Sequence, residues 1–492
     1  MNIKMIFHTL GHILKVEAIL MVLPLIVSFI YSDGNYWSFI IPIIALLFSG
    51  FALTIFIKPN RKNLFAKEGF VIVGLSWIVM SLFGCLPFII SQEIPKFIDA
   101  FFETVSGLTT TGATILTDIE SLSHSMLFWR SFTHWIGGMG VLVFILAIIP
   151  IAGGQNIFLL RAESTGPQVG KLVSKVKVTA RILYLIYLVL TLIQICLLYL
   201  GKMPLFDAIN IAFSTAGTGG FAIKNDSLAS YNDYCQIVTA IFMLLFGVNF
   251  NVFYLIIIGK VIQAIKNEEL WWYLGLIGVS MLVIFINLIT AIEIPAGLAF
   301  KDSFFHVVSI ITSTGFATTD YNAWPALAQT ILFFITFVGA CAGSTGGGIK
   351  VSRTVILFKT FGREIKKLTH PNSVANIRFD GNNVDESVVK GVSNYFIIYI
   401  LLFVCSFLVI TLDGFDFKTN ITSIAACLNN TGPGIGGLAI DGQQALIDIG
   451  PLGNYSPFSF FSKLVLTFTM FVGRLEIYPI LILFNPKVWL NK

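Results

Sequence analysis

The chain has 492 residues, of which 56% are hydrophobic and only 12% are charged, with a formal net charge of +5. A soluble domain carries about 25% charged residues, so these side chains cannot cover a soluble protein of this size. The composition excludes a soluble enzyme, a disulfide-built secreted domain and a nucleic-acid-binding protein. It indicates a polytopic membrane protein. The six cysteines lack CxxC or Cys/His ligand spacing, and we interpret them as small buried hydrophobic residues.

Ten apolar segments are long enough to span a bilayer as helices. They cover residues 9–31, 36–57, 70–92, 124–150, 180–201, 232–260, 270–293, 325–353, 391–413 and 457–485. No small-residue cleavage site follows the first segment, so the first two segments are predicted to form a retained hairpin. Short loops on one side carry 23 of the 31 Lys and Arg residues. The positive-inside rule predicts that this side and both termini are cytoplasmic.

A second pattern recurs four times after the hairpin. An apolar stretch ends in a glycine cluster at 97–115, 205–223, 300–319 and 417–436. Each apolar part has about 12 residues, or roughly 18 Å of helix, which is about half a bilayer. It is therefore predicted to be a half-helix that enters from the outside and returns. Asp99, Asp207 and Asp302 lie near the starts of three half-helices and Thr419 near the fourth, where such side chains can act as N-caps.

The four glycine clusters are candidates for an ion filter. Their central residues are Thr111 and Gly112, Gly219 and Gly220, Thr314 and Gly315, and Thr431 and Gly432. Glycine allows backbone dihedrals that point carbonyls at one axis, and a ring of carbonyls can replace the hydration shell of a monovalent cation. The half-helix C-termini add partial negative charge. Gly220 keeps the 13-residue distance from the acid, whereas Gly219 would preserve the preceding threonine, so both remain candidates.

One glycine or threonine loop alone would more often be a simple connection between helices. Four such loops at equivalent places favour the filter. The clusters contain no carboxylate, which argues against a ring selective for divalent ions. Only the central glycine recurs in all four clusters, which predicts moderate selectivity for potassium over sodium.

The eighth span contains five glycines in residues 339–348. Each Gly in a helix interior costs about 1 kcal/mol relative to Ala, so the helix is predicted to unwind into a flexible intramembrane loop. A close helix-packing face of small residues is the alternative. The candidate loop residues are Gly343, Ser344, Thr345, Gly346, Gly347 and Gly348.

Charged and histidine side chains within the spans form a second set of candidates. A charged side chain inside the membrane is unfavourable in free energy, so Arg474 in the last span is expected to face a cavity or a partner. Glu476 does not face it on a helix, although pairing with nearby carbonyls remains open. We interpret Arg130 as an interfacial anchor, and His134 and His306 as packing or filter-supporting residues.

With the stretch Trp135-Ile136-Gly137-Gly138-Met139-Gly140, these features resemble the Trk/Ktr/HKT superfamily of potassium transporters over essentially the whole chain. The two extra N-terminal helices are similar to its Trk branch. The resemblance implies an all-α membrane protein with four M1–P–M2 repeats around a pseudo-fourfold pore. It implies that Gly112, Gly220, Gly315 and Gly432 are the filter glycines. A glycine at position 112 implies transport of potassium. The resemblance also implies that loop 339–348 is a gate held closed by Arg474.

The resemblance further implies a homodimer and a cytosolic TrkA-type regulatory ring with nucleotide-binding folds. That ring would bind the basic loops at 151–179 and 354–390, although the positive-inside bias and contacts with anionic lipids explain these loops equally well. We divide the chain into a hairpin (1–69), repeat 1 (70–150), linker and repeat 2 (151–260), repeat 3 with gate and cytoplasmic loops (261–390), and repeat 4 (391–492).

The predicted function is uptake of potassium, or rubidium, across the bacterial inner membrane through a gated, carbonyl-lined pore. Potassium is expected as the transported substrate, without a cofactor or a nucleic-acid partner. An intramembrane enzyme would need paired His, Asp or Ser/Lys groups, which the spans do not offer. An alternating-access transporter would favour inverted repeats, whereas these four share one topology. Coupling to H⁺ or Na⁺ within the same fold remains open.

Overall fold

The computed structural model describes residues 1–59, 66–140, 176–371, 376–436 and 449–489. The chain begins with helices Ile3–Leu20, Val22–Tyr31 and Tyr36–Phe56, which form the predicted hairpin with one arm in two parts. Gly11 and Gly50 let the arms approach closely, since a Cβ atom at Gly11 would lie 2.9 Å from the Gly50 carbonyl oxygen. Residues 141–150 of the fourth predicted span and 151–175 of the first basic loop lie outside the described residues.

A unit of three helices follows four times. We call them the outer helix, the half-helix and the inner helix. The units consist of Ala66–Gly84 with Leu86–Ile90, Phe97–Leu108 and His124–Gly138; Val176–Leu200, Leu205–Ala216 and Asp233–Phe246; Glu268–Ile292, Ala296–Ile311 and Ala326–Val338; and Glu386–Ile410, Phe417–Leu428 and Phe460–Arg474. The predicted fold class is therefore confirmed.

Further elements in the described residues connect and extend these units. The helices are Phe250–Ile257, Val261–Ile265, Val351–Thr369, Tyr478–Leu481 and Pro486–Trp489, with 3₁₀ turns at Tyr321–Ala323, Thr411–Asp413 and Ile482–Phe484. A two-residue antiparallel pair of strands, Arg378–Phe379 and Asn382–Asn383, pairs Arg378 with Asn383.

The inner helices are not continuous spans, and this corrects the sequence prediction. Six helices in the described residues are long and apolar enough to cross a membrane: Ile3–Tyr31, Tyr36–Phe56, Lys67–Ile90, Ala180–Leu200, Glu268–Ile292 and Glu386–Asp413. The four inner helices end after 13 to 15 residues. After Phe246 the chain turns by 89° into the next helix. Only the break in the third inner helix was predicted, because hydropathy does not register a break inside an apolar stretch.

Glycines near the ends of the first and fourth inner helices let these helices lie directly against two half-helices. A Cβ atom at Gly137 would lie 1.8 Å from the carbonyl oxygen of Leu108, and one at Gly473 would lie 2.0 Å from that of Leu428. Both oxygens belong to the last residue of a half-helix. The first and fourth inner helices therefore place their backbones directly against these half-helix ends, which positions the first and fourth central loops.

The apolar core has two large parts. One joins the hairpin mainly to the first and fourth units, and the other mainly joins the second and third units. The prediction that all cysteines are buried is wrong for Cys196 and Cys405, which are exposed on outer helices, whereas the other four are buried.

Replacing Gly11 with Leu is expected to destabilise the hairpin, because the new side chain would meet Gly50 and its neighbours. Overpacking of this kind typically costs 1–3 kcal/mol. Thermal unfolding of the purified protein in detergent measures the effect. Gly278→Leu is the matched control, because a Cβ atom there meets nothing within 4 Å. Equal melting temperatures for the two variants would contradict the packing of the hairpin.

Candidate functional site

The four glycine clusters meet at one place. A Cβ atom on each central glycine would lie 1.8 to 2.5 Å from a carbonyl oxygen of the next unit. The contacts run from Gly112 to Gly219, from Gly220 to Thr314, from Gly315 to Thr431, and from Gly432 back to Thr111. They form a closed circle in chain order, so the loops surround one axis. We call these eight residues the central ring.

The four loops share one backbone conformation. The central glycines have φ between 79° and 90°, and the residues two positions earlier, Thr110, Thr218, Ser313 and Asn430, have φ between 53° and 57°. The residue before each central glycine donates its N–H to a half-helix carbonyl at 2.8 Å. These bonds join Thr111 to Ser106, Gly219 to Ser214, Thr314 to Ser309 and Thr431 to Ala426. Each half-helix therefore ends at the ring with its C-terminus directed toward it.

This shared geometry separates the two glycines of the second loop. Gly220 has the positive φ of the other central glycines, and Gly219 takes the place of the threonine. A Cβ atom at Gly219 would lie 2.3 Å from Nδ1 of His134. The imidazole ring therefore fills the space that the threonine side chain would need.

His134 and His306 both support the central loops. Nδ1 of His134 lies 2.8 Å from the Gly107 carbonyl oxygen, and its Nε2 accepts the N–H of Phe221 at 3.3 Å. His306 contacts the carbonyl oxygens of Asp302 and Thr319. These contacts agree with the interpretation of both residues as filter-supporting side chains.

The acidic residues near the half-helix starts do not act as N-caps, so that prediction is wrong for them. Asp99 forms an ion pair with Lys463 at 2.5 Å, Asp207 accepts from the Tyr231 hydroxyl at 2.8 Å, and Asp302 accepts from the Thr318 hydroxyl at 3.3 Å. The fourth half-helix is capped by Asp416, whose side chain accepts the N–H of Thr419. Asp99, Asp207 and Asp302 instead bind side chains that lie outside their own half-helices.

A cavity on the side where the half-helices begin, which we call the outer side, is lined by all four central glycines. Arg130 also lines it and is not an interfacial anchor, which corrects the sequence interpretation. Its side chain is only 2% exposed and pairs with the buried Glu103 at 2.5 Å.

The loop after the third inner helix lies against the opposite side of the ring. A Cβ atom at Gly347 would lie 2.2 Å from the Asn429 carbonyl oxygen, and one at Gly346 would lie 2.8 Å from that of Thr312. The N–H of Gly347 donates to Ser313 Oγ at 2.5 Å. Residues 339–348 therefore form a layer directly beneath the ends of the third and fourth half-helices.

The path of this loop depends on glycine conformations and on the broken second inner helix. Gly339, Gly343 and Gly348 all have φ between 68° and 78°. Both the N–H and the hydroxyl of Thr345 donate to the carbonyl oxygen of Phe246, at 3.4 and 3.2 Å. The hydroxyl of Ser344 donates within the loop, to Cys341.

Arg474 joins this loop to the first inner helix. Nη1 donates to the Thr345 carbonyl oxygen at 2.7 Å, and Nη2 donates to those of Gly137 and Gly138 at 2.5 and 2.7 Å. These acceptors come from the loop beneath the ring and from the end of a helix whose last carbonyls have no intrahelical donor. Arg474 thus binds carbonyls, the alternative that the sequence left open.

Several charged residues at this level carried no clear sequence signal. The Glu269 carboxylate accepts the N–H groups of Ala342 and Ser352 at 2.7 and 3.1 Å, which fixes both ends of the loop region. Arg353 pairs with Glu476 at 2.5 Å. Lys350 is buried, and its Nζ donates to the Gly346 carbonyl oxygen. Their positions in apolar segments were the available signal, but their partners lie far away in sequence.

The family model described as "Cation transport protein", TrkH, matches residues 38–490. The chain belongs to the TrkH family. It is 37% identical to the "Trk system potassium uptake protein TrkH" of Salmonella typhimurium, over 99% of this chain and 100% of that protein. It is 33% identical to the "Trk system potassium uptake protein TrkG" of Escherichia coli, with 99% of each chain covered.

A solved structure agrees with this assignment. The crystal structure of the potassium transporter TrkH from Vibrio parahaemolyticus matches with a TM-score of 0.87 and 33% identity, covering 100% of both chains. The predicted family is therefore confirmed, and the fold of this TrkH-family chain extends over the full length of that structure.

Replacing Gly315 with Ala is expected to abolish cation flux through the reconstituted protein. The residue has φ of 82°, and the added methyl group would lie 2.3 Å from the Thr431 carbonyl oxygen, so the ring cannot close. Flux into liposomes measures the effect, and size-exclusion chromatography checks folding. Gly275→Ala is the control, since a Cβ atom there meets nothing within 4 Å. Wild-type flux in Gly315→Ala would show that the ring is not the ion path.

Proposed function

We propose that this protein takes up potassium across the bacterial inner membrane through the central ring. Relatives that align over nearly its whole length are named Trk system potassium uptake proteins. The observation that carries the proposal is the closed circle of four glycine loops around one cavity. Potassium is the transported substrate, and rubidium is its usable tracer.

The ring suits a desolvated monovalent cation. Its eight residues are glycines and threonines, so the ring offers backbone carbonyl oxygens to a passing ion and contains no carboxylate. A ring of carbonyls replaces a hydration shell, and four half-helix C-termini contribute partial negative charge. Thr111, Gly112, Gly219, Gly220, Thr314, Gly315, Thr431 and Gly432 form the filter in this proposal.

The loop beneath the ring is the gate. Gly343, Ser344, Thr345, Gly346, Gly347 and Gly348 cross below the half-helix ends, and Arg474 holds this loop against the first inner helix. A fixed positive charge under a cation filter raises the barrier to permeation, and its hydrogen bonds keep the loop in the path. Opening requires that these bonds break.

In this proposal the gate is regulated from the cytoplasmic side. Helix Val351–Thr369 follows the gate loop directly and carries the exposed Lys366. A movement of this helix is therefore transmitted to the gate. We place both termini in the cytoplasm. We further propose that the protein forms a homodimer and that a TrkA-type ring binds its basic loops. The Lys/Arg asymmetry and the Trk-system names of the relatives support this arrangement. The succession of three-helix units supports the five-part division of the chain.

Expression in a host that lacks its own potassium uptake is expected to restore growth at low potassium and to give uptake of radioactive rubidium. Because only one glycine position is common to all four loops, sodium is expected to permeate measurably. Reversal potentials in mixed K⁺/Na⁺ solutions measure this selectivity. Absence of rubidium uptake by well-expressed protein would refute the function, and strict exclusion of sodium would refute the moderate selectivity.

Replacing Arg474 with Ala is expected to raise rubidium flux through the isolated subunit several-fold. The substitution removes three hydrogen bonds from a charged donor, each typically worth about 1.5–3 kcal/mol, and a positive charge from the path. Arg474→Lys keeps the charge but cannot donate to all three carbonyls in the same fork, so it is expected to have an intermediate effect. Unchanged flux with normal expression of Arg474→Ala would contradict the gate.

A further inference from the structure

The outer parts of the four central loops are joined by a second circle of contacts. Two residues after each central glycine, a carbonyl oxygen accepts a hydrogen bond from the preceding unit. The pairs are Arg130 Nη1 to Ala222 at 2.8 Å, Leu228 N–H to Ala317 at 3.0 Å, Tyr321 hydroxyl to Gly434 at 3.2 Å, and Tyr455 N–H to Thr114 at 2.7 Å. Every seam between neighbouring units is therefore bridged at the same level.

One seam differs from the other three in its charge. Leu228, Tyr321 and Tyr455 donate from uncharged groups, whereas the bond between the first and second units comes from the guanidinium of Arg130. That guanidinium also lies over the ring of Phe221, 3.8 Å from its centre, and Phe221 follows the central Gly220 directly. A full positive charge thus stands beside the path of a cation.

Glu103 compensates this charge and reaches the first loop at the same time. Its carboxylate accepts from Arg130 Nε at 2.5 Å, from the Thr114 hydroxyl at 2.9 and 3.0 Å, and from the N–H of Ile115 at 2.9 Å. The Glu103 side chain is 0% exposed and that of Arg130 is 2% exposed. Removing one partner of such a buried pair leaves an uncompensated charge, which is strongly unfavourable.

We propose that Glu103 and Arg130 are positioning residues for cation selectivity. Through Thr114 and Ile115 on one side and Ala222 and Phe221 on the other, the pair fixes the spacing between the first and second filter loops. Glu103 also cancels the positive charge that this bridge places at the outer mouth. The inference rests on the proposed potassium uptake through the ring.

The charge and the geometry are separable by substitution. Glu103→Gln leaves the Arg130 charge uncompensated at the mouth, so the rubidium concentration for half-maximal uptake is expected to rise about ten-fold or more, equivalent to at least about 1.4 kcal/mol. Arg130→Gln removes the bridge and its positive charge, and it leaves the Glu103 carboxylate without its charged partner. It is expected to reduce discrimination of rubidium against sodium with a smaller effect on half-saturation.

The double variant Glu103→Gln/Arg130→Gln identifies the electrostatic part. With no net charge left at the mouth, it is expected to recover much of the rubidium affinity lost in Glu103→Gln, while discrimination stays reduced. A role in folding alone would make the double variant as poor as the single one or worse. Glu103→Asp and Arg130→Lys keep both charges but alter the reach, and they are expected to change discrimination without the ten-fold rise in half-saturation.

The measurement is the concentration dependence of radioactive rubidium uptake into liposomes, with and without competing sodium. Lys301→Gln is the matched control, because it breaks the Lys301–Asp233 pair on the outer side without a contact to the ring, and it is expected to behave as wild type. Wild-type protein that takes up no rubidium would refute the proposed function itself. Active wild-type protein with Glu103→Gln within about two-fold of it, or with no recovery in the double variant, would overturn only this inference.

Discussion

The structure depends on the contact between each central glycine and a carbonyl of the next unit. A Cβ atom at any of the four central glycines would lie within 2.5 Å of a backbone oxygen, so only glycine allows the circle to close. The positive φ of all four glycines is the conformation in which glycine has no steric penalty. The half-helices stop at this ring, and the first and fourth inner helices place glycines against the half-helix ends. A substitution at any of these points separates backbones rather than side chains.

The break in each inner helix has an energetic consequence. A helix that ends inside the membrane leaves carbonyl groups without intrahelical donors, and each must be satisfied by protein or by a water-filled path. Arg474 donates to two such carbonyls, those of Gly137 and Gly138, and uses the same guanidinium to bind Thr345. One side chain therefore satisfies carbonyls of a broken helix and fixes the loop that lies beneath the central ring.

The four units resemble one another far more in backbone conformation than in the side chains they carry. The hydrogen bonds and dihedral angles of the central loops are nearly identical, yet Gly219 stands where the other loops have threonine, and His134 fills that space. At each outer seam, the carbonyl two residues after the central glycine accepts a hydrogen bond, but the donor is different in all four seams. A symmetric framework thus carries asymmetric chemistry, with the proposed gate on one unit and the Arg130–Glu103 bridge on another.

The membrane class, the hairpin, the number of repeats, the half-helices and the four glycine clusters are all readable from the sequence, whereas the choice between Gly219 and Gly220 is not. These features follow from local properties, namely apolar length, glycine content and spacing within about 20 residues. The presence of Arg474 in an apolar span was visible as well. Hydropathy could not locate the breaks in the other three inner helices, since they lie within apolar stretches.

The partners of the buried charges are visible only in the folded chain. The position of Arg130 near the start of the fourth predicted span suggested an interfacial anchor, but its partner Glu103 lies 27 residues away and Ala222 lies 92 residues away. Glu269 meets Ala342 across 73 residues, and Asp99, Asp207 and Asp302 bind side chains outside their half-helices instead of capping them. A buried charge needs a specific partner, and which group provides it depends on how distant segments pack, which no local pattern encodes.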